Sequence, residues 1–531
     1  MFSNMKPAEE RLLEACQKGE VLNLADERPR KKTDNNEIRG EFLRTLILSN
    51  NQEIAVNGNR YILKIDPRGI DFRGIFISGV FDFSFCNTDL SFTFINSFFE
   101  EEIRLINSKI KILNLTGTLV KLISAQKLIC DSDIFLRDGF KSKGKIDFIS
   151  AQIGGSLICT NGKFKNKNSV ALNFNSSKID GNVQLNGFEA NGKVEFSYAQ
   201  IGVGFDCTNG KLINKNETAL TFNSSKIDGN VLLGEGFCIS GNLDFTASQI
   251  GKVKVSEKIR IKGSCLFEFM KVNTILIEKL NFHKIILNKK GFKKLHLDGL
   301  VYNHLSGVNL DSITLINWLS KMPKFKPQPY KQLAKVLRNM GHNEDANNIM
   351  IEYNDIITSK SKNWFIKILK KIYGFTAAYG YKPMRVLGTM FMVWFLCSLF
   401  YWNASKVAVF APTNPLVFQK KDSYICNVNS NGTPLLDFFN YSKYNSSNNW
   451  ILNENLEGEY TTFNPFLYSL DVILPIVDLQ VEKDWGQYIS SNNGTLNDFT
   501  RWIMWFEILF GWTYSLILVA ILSGLAKNEK D

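Results

Sequence analysis

Between Ile65 and Ile95 apolar residues return at every fifth position, as Ile65, Ile70, Ile75, Val80, Phe85, Leu90 and Ile95. A period of five fits neither a helix nor an ordinary strand. It predicts a chain wound into short coils, with the central apolar residue of each pentad turned inward. Farther along, whole phrases repeat. FNSSKIDGNV stands at 174–183 and again at 222–231, AQIG at 151–154 and 199–202, and CTNGK at 159–163 and 207–211, with SQIG at 248–251. Within that unit SAQIGGSL (150–157) resembles SSKIDGNV (176–183), which divides it into coils of roughly 22 and 26 residues. Such units are too short for domains and suit the turns of a solenoid. Stacked coils would align Phe174 with Phe222, Ile179 with Ile227 and Cys159 with Cys207 as inward columns, while Gly181 and Gly229 turn corners that a side chain would crowd.

The C-terminal third has a different pattern. Residues 386–405 and 508–526 contain no charged side chain, and each run is close to the ~20 residues that cross a bilayer. Ahead of the first run, residues 360–385 carry Lys360, Lys362, Lys367, Lys370, Lys371, Lys382 and Arg385 and no acid, with an apolar face of Trp364, Phe365, Ile368 and Leu369. That predicts an interfacial helix. Between the runs, residues 406–500 have ten acids against five lysines. The basic flank and acidic loop place the solenoid and both termini in the cytoplasm and the loop outside, with Cys426 as the loop's single cysteine. Pro329, Gly341 and Asn343 delimit a helical hairpin between solenoid and membrane.

Inside the loop lies FNPFLYSLDVILPIVDLQ (463–480). Asn464 as cap, Pro465 in the first turn and Pro475 as terminator predict a helix over 464–474. About ten residues at 1.5 Å each give ~15 Å, half a bilayer. Span, half-length helix, irregular segment and span is the plan of a two-helix pore unit with a re-entrant helix, and backbone at that depth needs protein or water around it. The acids Asp471 and Asp478, with Glu507 at the head of the second span, would repeat as carboxylate rings around the axis, and Gly511 and Ser515 would let helices approach or line the lumen. The other reading is an amphipathic helix resting on the outer leaflet.

The domain plan is therefore an N-terminal helical segment opening near Pro7 (1–50), a solenoid (51–318), the hairpin and basic helix (319–385), span 386–405, the loop (406–500) and a second span (501–526). The N-terminus has no apolar run of a signal peptide. Nine cysteines form no CxxC pair, and the four histidines, His283, His296, His304 and His342, neighbour no catalytic pattern. GEGFCISG at 234–241 lacks dinucleotide-binding spacing. The chain reads as a non-enzyme without cofactor or metal. A net charge of +12 favours an anionic partner.

The pentads resemble a pentapeptide-repeat protein, which implies a right-handed β-helix with four faces per coil. Arg73 and Phe83 depart from that pattern, since a small residue is usual there. SLDVILPIVDL (469–479) followed by FGWTYSLILVAILSGL (510–525) resembles bacterial chains labelled membrane-associated oxidoreductases, although no residue here supplies that chemistry. In layout, a β-helix joined to a two-span pore resembles the membrane-channel effector of Hailong-type anti-phage systems. The pore plan already implies a homo-oligomer, with a tetramer as one arrangement, and the resemblance sets it in the bacterial inner membrane. The resemblance also implies a nucleotidyltransferase partner whose single-stranded DNA oligomers hold the channel shut. The basic charge would then have a ligand. Lys163, Lys165 and Lys167 stand one repeat before Lys211 and Lys215, and residues 251–300, which include Lys252, Lys254, Arg260 and Lys262, carry twelve Lys or Arg against four acids. Lysines on successive coils would track a phosphate backbone. Each alone is equally a solvated solenoid corner, and a membrane-anchored scaffold for a protein partner remains the alternative function.

Overall fold

The computed structural model of the chain describes residues 5–56, 59–256, 258–277, 294–307, 311–407, 409–419, 450–452, 456, 460–487 and 496–523. Cys426, and with it the cysteine expected outside the membrane, lies beyond the described residues, as do 278–293 of the basic stretch. The chain divides into two compact units, Met1–Ile349 and Met350–Asp531.

The first unit is a parallel β-solenoid of about nine turns. Its inward columns run from coil to coil in strict register. One passes through Ile110, Cys130, Ile153, Ile179, Ile201, Ile227, Ile250, Val272 and Tyr302. A column of phenylalanines, Phe148, Phe174, Phe196, Phe222, Phe245 and Phe267, stacks at centroid spacings of 4.9–5.7 Å with rings within 16° of parallel. The repeated phrase thus returns after two coils. Phe174 and Phe222 are separated by Phe196, Ile179 and Ile227 by Ile201, and all are buried, as are Cys159 and Cys207. The serines of the phrase serve the corner: Ser177 and Ser225 are buried and donate to the carbonyls of Phe174 and Phe222 at 2.7 and 2.8 Å. A Cβ at Gly181 would come within 2.7 Å of the Gly155 carbonyl oxygen, and one at Gly229 would overlap the Val203 carbonyl.

The alternation of coil lengths also has a local cause. Strands Lys163–Asn173 and Lys211–Thr221 have eleven residues, but their neighbours Glu189–Glu195 and Cys238–Asp244 have seven. The four extra residues bulge opposite Gly192 and Gly241, whose φ of 130° and 141° and close approach to the carbonyls of Asn166 and Asn214 leave no room for a side chain.

Two expectations change. The period of five holds for Leu105, Ile110, Leu115, Val120, Ala125 and Cys130, all buried on coils of 20 residues. Of the seven positions between Ile65 and Ile95, Ile65, Ile70, Ile75 and Leu90 are buried, Val80 and Ile95 are half-buried, and the period fails outright at Phe85, which is 76 % exposed, while Phe83 is buried. Phe85 sits at a left-handed corner with φ 58°, like Asn107, Lys127 and Ser150 on the following coils, and a corner side chain points away from the core. Strand pairing also begins before residue 51: Leu22–Asn23 pairs with Ile70–Arg73, and Glu37–Arg39 pairs with Phe76–Ser78. Helices α1 (Pro7–Lys18) and α2 (Gly40–Leu48) flank these first strands.

At the other end α3 (Ser312–Leu319) and α4 (Pro327–Asn339) follow the last strand, Val301–Gly307. Gln328 and Gln332 of α4 donate to the carbonyls of Leu300 and Tyr302 at 2.9 and 2.7 Å, closing the open edge. The hairpin opens at Pro327, not Pro329; Gly341 has φ 86°, and α5 (Asn343–Ser359) starts at Asn343.

In the second unit the basic segment forms α6 (Trp364–Ala377), capped by Asn363, which accepts from Phe365 N at 3.0 Å. It is followed by α7 (Pro383–Ser405), α8 (Pro465–Ile473) and α9 (Leu496–Leu522). Helix α7 and the Phe499–Leu522 part of α9 are long and apolar enough to cross a membrane, with mean hydropathy 1.5 and 1.8. The second begins earlier than its uncharged run because helical structure continues through Arg501 and Glu507.

Candidate functional site

Helix α8 starts where its caps dictate. Asn464 accepts from Phe466 N at 2.9 Å, Pro465 occupies the first turn, and the helix ends before Pro475. Its nine residues span about 13.5 Å. Both long helices hold it. Trp394 of α7 donates to the Phe466 carbonyl at 3.1 Å, and Ser469 Oγ sits between the Trp394 carbonyl and the Glu507 carboxylate of α9. Tyr401 donates to the other Glu507 oxygen at 2.8 Å. At the end of α8, Leu474 packs with Val386, Met390, Tyr514 and Ile521. The chain then turns back: Val481 and Trp485 join Phe463, Phe410 and Tyr401 in the cluster where α8 began. There Trp485 donates to the Thr461 carbonyl at 2.7 Å, and Thr461 N donates to Asp484 at 2.8 Å. Trp485–Gln487 also pairs with Phe410–Pro412.

The structure divides the five residues expected at a pore. Glu507 is fully buried inside the chain's own fold, accepting from Tyr401 and Ser469. Asp471 is 7 % exposed and accepts from the backbone of Leu479 at 2.7 Å and of Glu482 at 2.8 Å. Within the single chain neither carboxylate is turned outward; both face its own donors. A buried carboxylate needs donors, and each has found them within its own chain. Asp478 remains exposed and is ion-paired with Lys483. Gly511 does permit a close approach, here of α8 in the same chain: a Cβ there would overlap the Ile473 carbonyl. Ser515 is half-buried on α9. Sequence reasoning missed Trp394, Tyr401 and Ser469, whose signal is only that hydrogen-bonding side chains interrupt apolar runs.

The basic residues also divide. One column runs Lys163, Glu189, Lys211, Cys238, Arg260, and the next runs Lys165, Asn191, Ile213, Ser240, Lys262, both on one sheet. Glu189 lies between Lys163 and Lys211 and pairs with both, at 3.0 and 3.9 Å. Lys167 and Lys215 occupy the equivalent bulges of the same two long strands. Lys252 and Lys254 belong to Gln249–Val255 in the other sheet, so the nine do not share one track. Among the described residues no group of three or more His, Cys, Asp or Glu is placed to hold a metal ion.

No protein family, curated protein or solved structure matches the chain.

Proposed function

We propose that the chain is a subunit of a homo-oligomeric membrane ion channel whose solenoid senses an anionic cytoplasmic ligand, nucleic acid being the first candidate, with membrane depolarisation in anti-phage defence as its output. One observation carries the channel reading. A half-length helix is held by hydrogen bonds between two apolar helices, and the chain on either side of it returns to one cluster. In a bilayer this is a re-entrant segment, with 474–480 as its irregular arm. That arm leaves Ile476 84 % exposed and Val477 and Asp478 open, so neighbouring subunits or a water-filled lumen must complete their surroundings. Outward-facing Phe391, Phe395, Leu509, Trp512 and Leu516 on the long helices suit lipid.

In this reading Asp478 is the carboxylate that attracts cations, while Asp471 and Glu507 brace the helix behind it. The test is current through the purified chain in planar bilayers under a cation gradient. Wild type should conduct selectively for cations and Asp478→Asn less so. A silent wild-type protein that is inserted and folded overturns the proposal. The Lys163–Glu189–Lys211 ladder favours a second reading for the solenoid alone, since alternating charge suits a protein surface better than a polyanion.

A further inference from the structure

Helix α6 projects an apolar face that no described residue covers. Trp364, Phe365, Ile368, Leu369, Ile372 and Phe375 are all exposed, Trp364 by 72 % and Phe375 by 80 %. At 3.6 residues per turn they fill an arc of about 140°, and Lys367, Lys370 and Lys371 fill about 100° on the opposite side. Among the described residues the packed part of α6 is its C-terminal end, from Tyr373 to Ala377. Ala377 is buried with Val386, Met390, Tyr514 and Ile521, and Tyr514 donates to Thr376 Oγ1 at 2.7 Å. These contacts fix α6 at the end where α7 begins and α9 finishes. Ala378, Tyr379 and Gly380, with φ of 47°, 55° and 86°, turn the chain sharply between α6 and α7. Tyr379 secures that turn by donating to Asp355 at 2.7 Å.

We propose that α6 docks on an acidic phospholipid leaflet, with its aromatic and aliphatic arc in the acyl boundary and its lysines among the headgroups. The placement rests on the reading of α7 and α9 as spans. A lipid surface is favoured over a protein by three features: the helix leads directly into a span, its packed turn lies at the spans' shared end, and residues 360–385 hold seven basic residues and no acid. The lipid is also placed to bear on the pore, because Tyr373 and Leu474, the residue after α8, pack on the same cluster.

The experiment uses the full chain reconstituted in brominated phosphatidylcholine vesicles, with and without phosphatidylglycerol. The emission of Trp364 is the difference between wild type and Trp364→Phe. It should be quenched by bromines near the headgroup, quenched further when phosphatidylglycerol is added, and shielded from aqueous iodide. Joint replacement of Lys367, Lys370 and Lys371 by Gln should abolish the gain from phosphatidylglycerol. Iodide quenching without bromine quenching would overturn the docking. Shielding from both quenchers would assign the face to protein and overturn it equally. Bromine quenching indifferent to phosphatidylglycerol would overturn the acidic-lipid assignment. Trp512, measured through Trp512→Phe, separates the premises: loss of bromine quenching there sinks the spans, and loss at Trp364 alone sinks only the placement of α6.

Discussion

Adding a single carbon at Gly511 tests whether α8 sits where conduction is controlled. A Cβ on α9 at this position would overlap the Ile473 carbonyl oxygen and stand 2.9 Å from its carbon and 3.2 Å from its Cα. Carbons in contact lie roughly 3.5–4.0 Å apart, so the end of α8 must withdraw by about 1 Å. Overpacking of that kind costs ~1–3 kcal/mol, enough to move a two-state equilibrium by about 5- to 150-fold. The displacement has a direct route to the irregular arm, because Asp471, two residues before Ile473, holds the backbone of Leu479 and Glu482. Gly511→Ala should therefore change the open-to-closed ratio in planar bilayers by up to about that factor, and Gly511→Leu by at least as much. Gly388→Ala is the control, since nothing lies within 4 Å of a Cβ added there. If all three variants conduct like wild type at matched reconstitution, α8 does not set conduction and the proposed channel loses its main support.

Other outcomes follow from the same packing. Ile179→Asp and Ile227→Asp each place an unpaired carboxylate in a closed column, at a cost of several kcal/mol; limited proteolysis should find the solenoid degraded, and resistant variants would refute the stacking. Asp478→Asn should lower cation current with the fold intact, whereas Asp471→Asn should also lower thermal stability, because one of its two acceptor oxygens becomes a donor facing a backbone N–H. Asp484→Asn should behave like the latter, since Asp484 holds Thr461. In the native solenoid the half-exposed Cys86 and Cys238 should react first with a thiol reagent. Burial pushes the Cys130 and Cys265 thiols up to about 12, so these should label only on unfolding. If single-stranded DNA binds the solenoid, replacing Lys165, Lys167, Lys211 and Lys215 by Gln should weaken binding and flatten its salt dependence, and unchanged binding would refute that surface.

The solenoid was legible because stacking imposes translational identity on the sequence. An inward position must be filled in every coil, so Ile179 and Ile227 and the phenylalanines beside them advertise the register. Corners are less legible. Phe85 continues the apolar period, yet its left-handed backbone sends the side chain out, and only a register against later coils reveals the slip. The first strands, Leu22–Asn23 and Glu37–Arg39, were illegible because the helices interrupting them hide any period. Both long apolar helices and the two ends of α8 could be read from composition and caps. What lies between them could not.

The carboxylates show why. Asp471 and Asp478 are seven residues apart and would share a face if one helix continued through both. Pro475 ends that helix between them, and the chain reverses. Asp471 then faces the backbone amides of its own return arm, which have lost helical partners, and a carboxylate aimed at unpaired N–H groups satisfies both sides. Asp478, past the reversal, is left outside with Lys483. Glu507 follows the same logic from α9, where Ser469 and Tyr401 offer hydroxyls across two helix interfaces. An acid within an apolar segment marks a site of demand, but the segment does not say whether the demand is for an ion or for the chain's own donors. Here two acids answer to the chain, which leaves Asp478, exposed and ion-paired only with Lys483 among the described residues, as the one of the three that the proposed channel could offer to a cation.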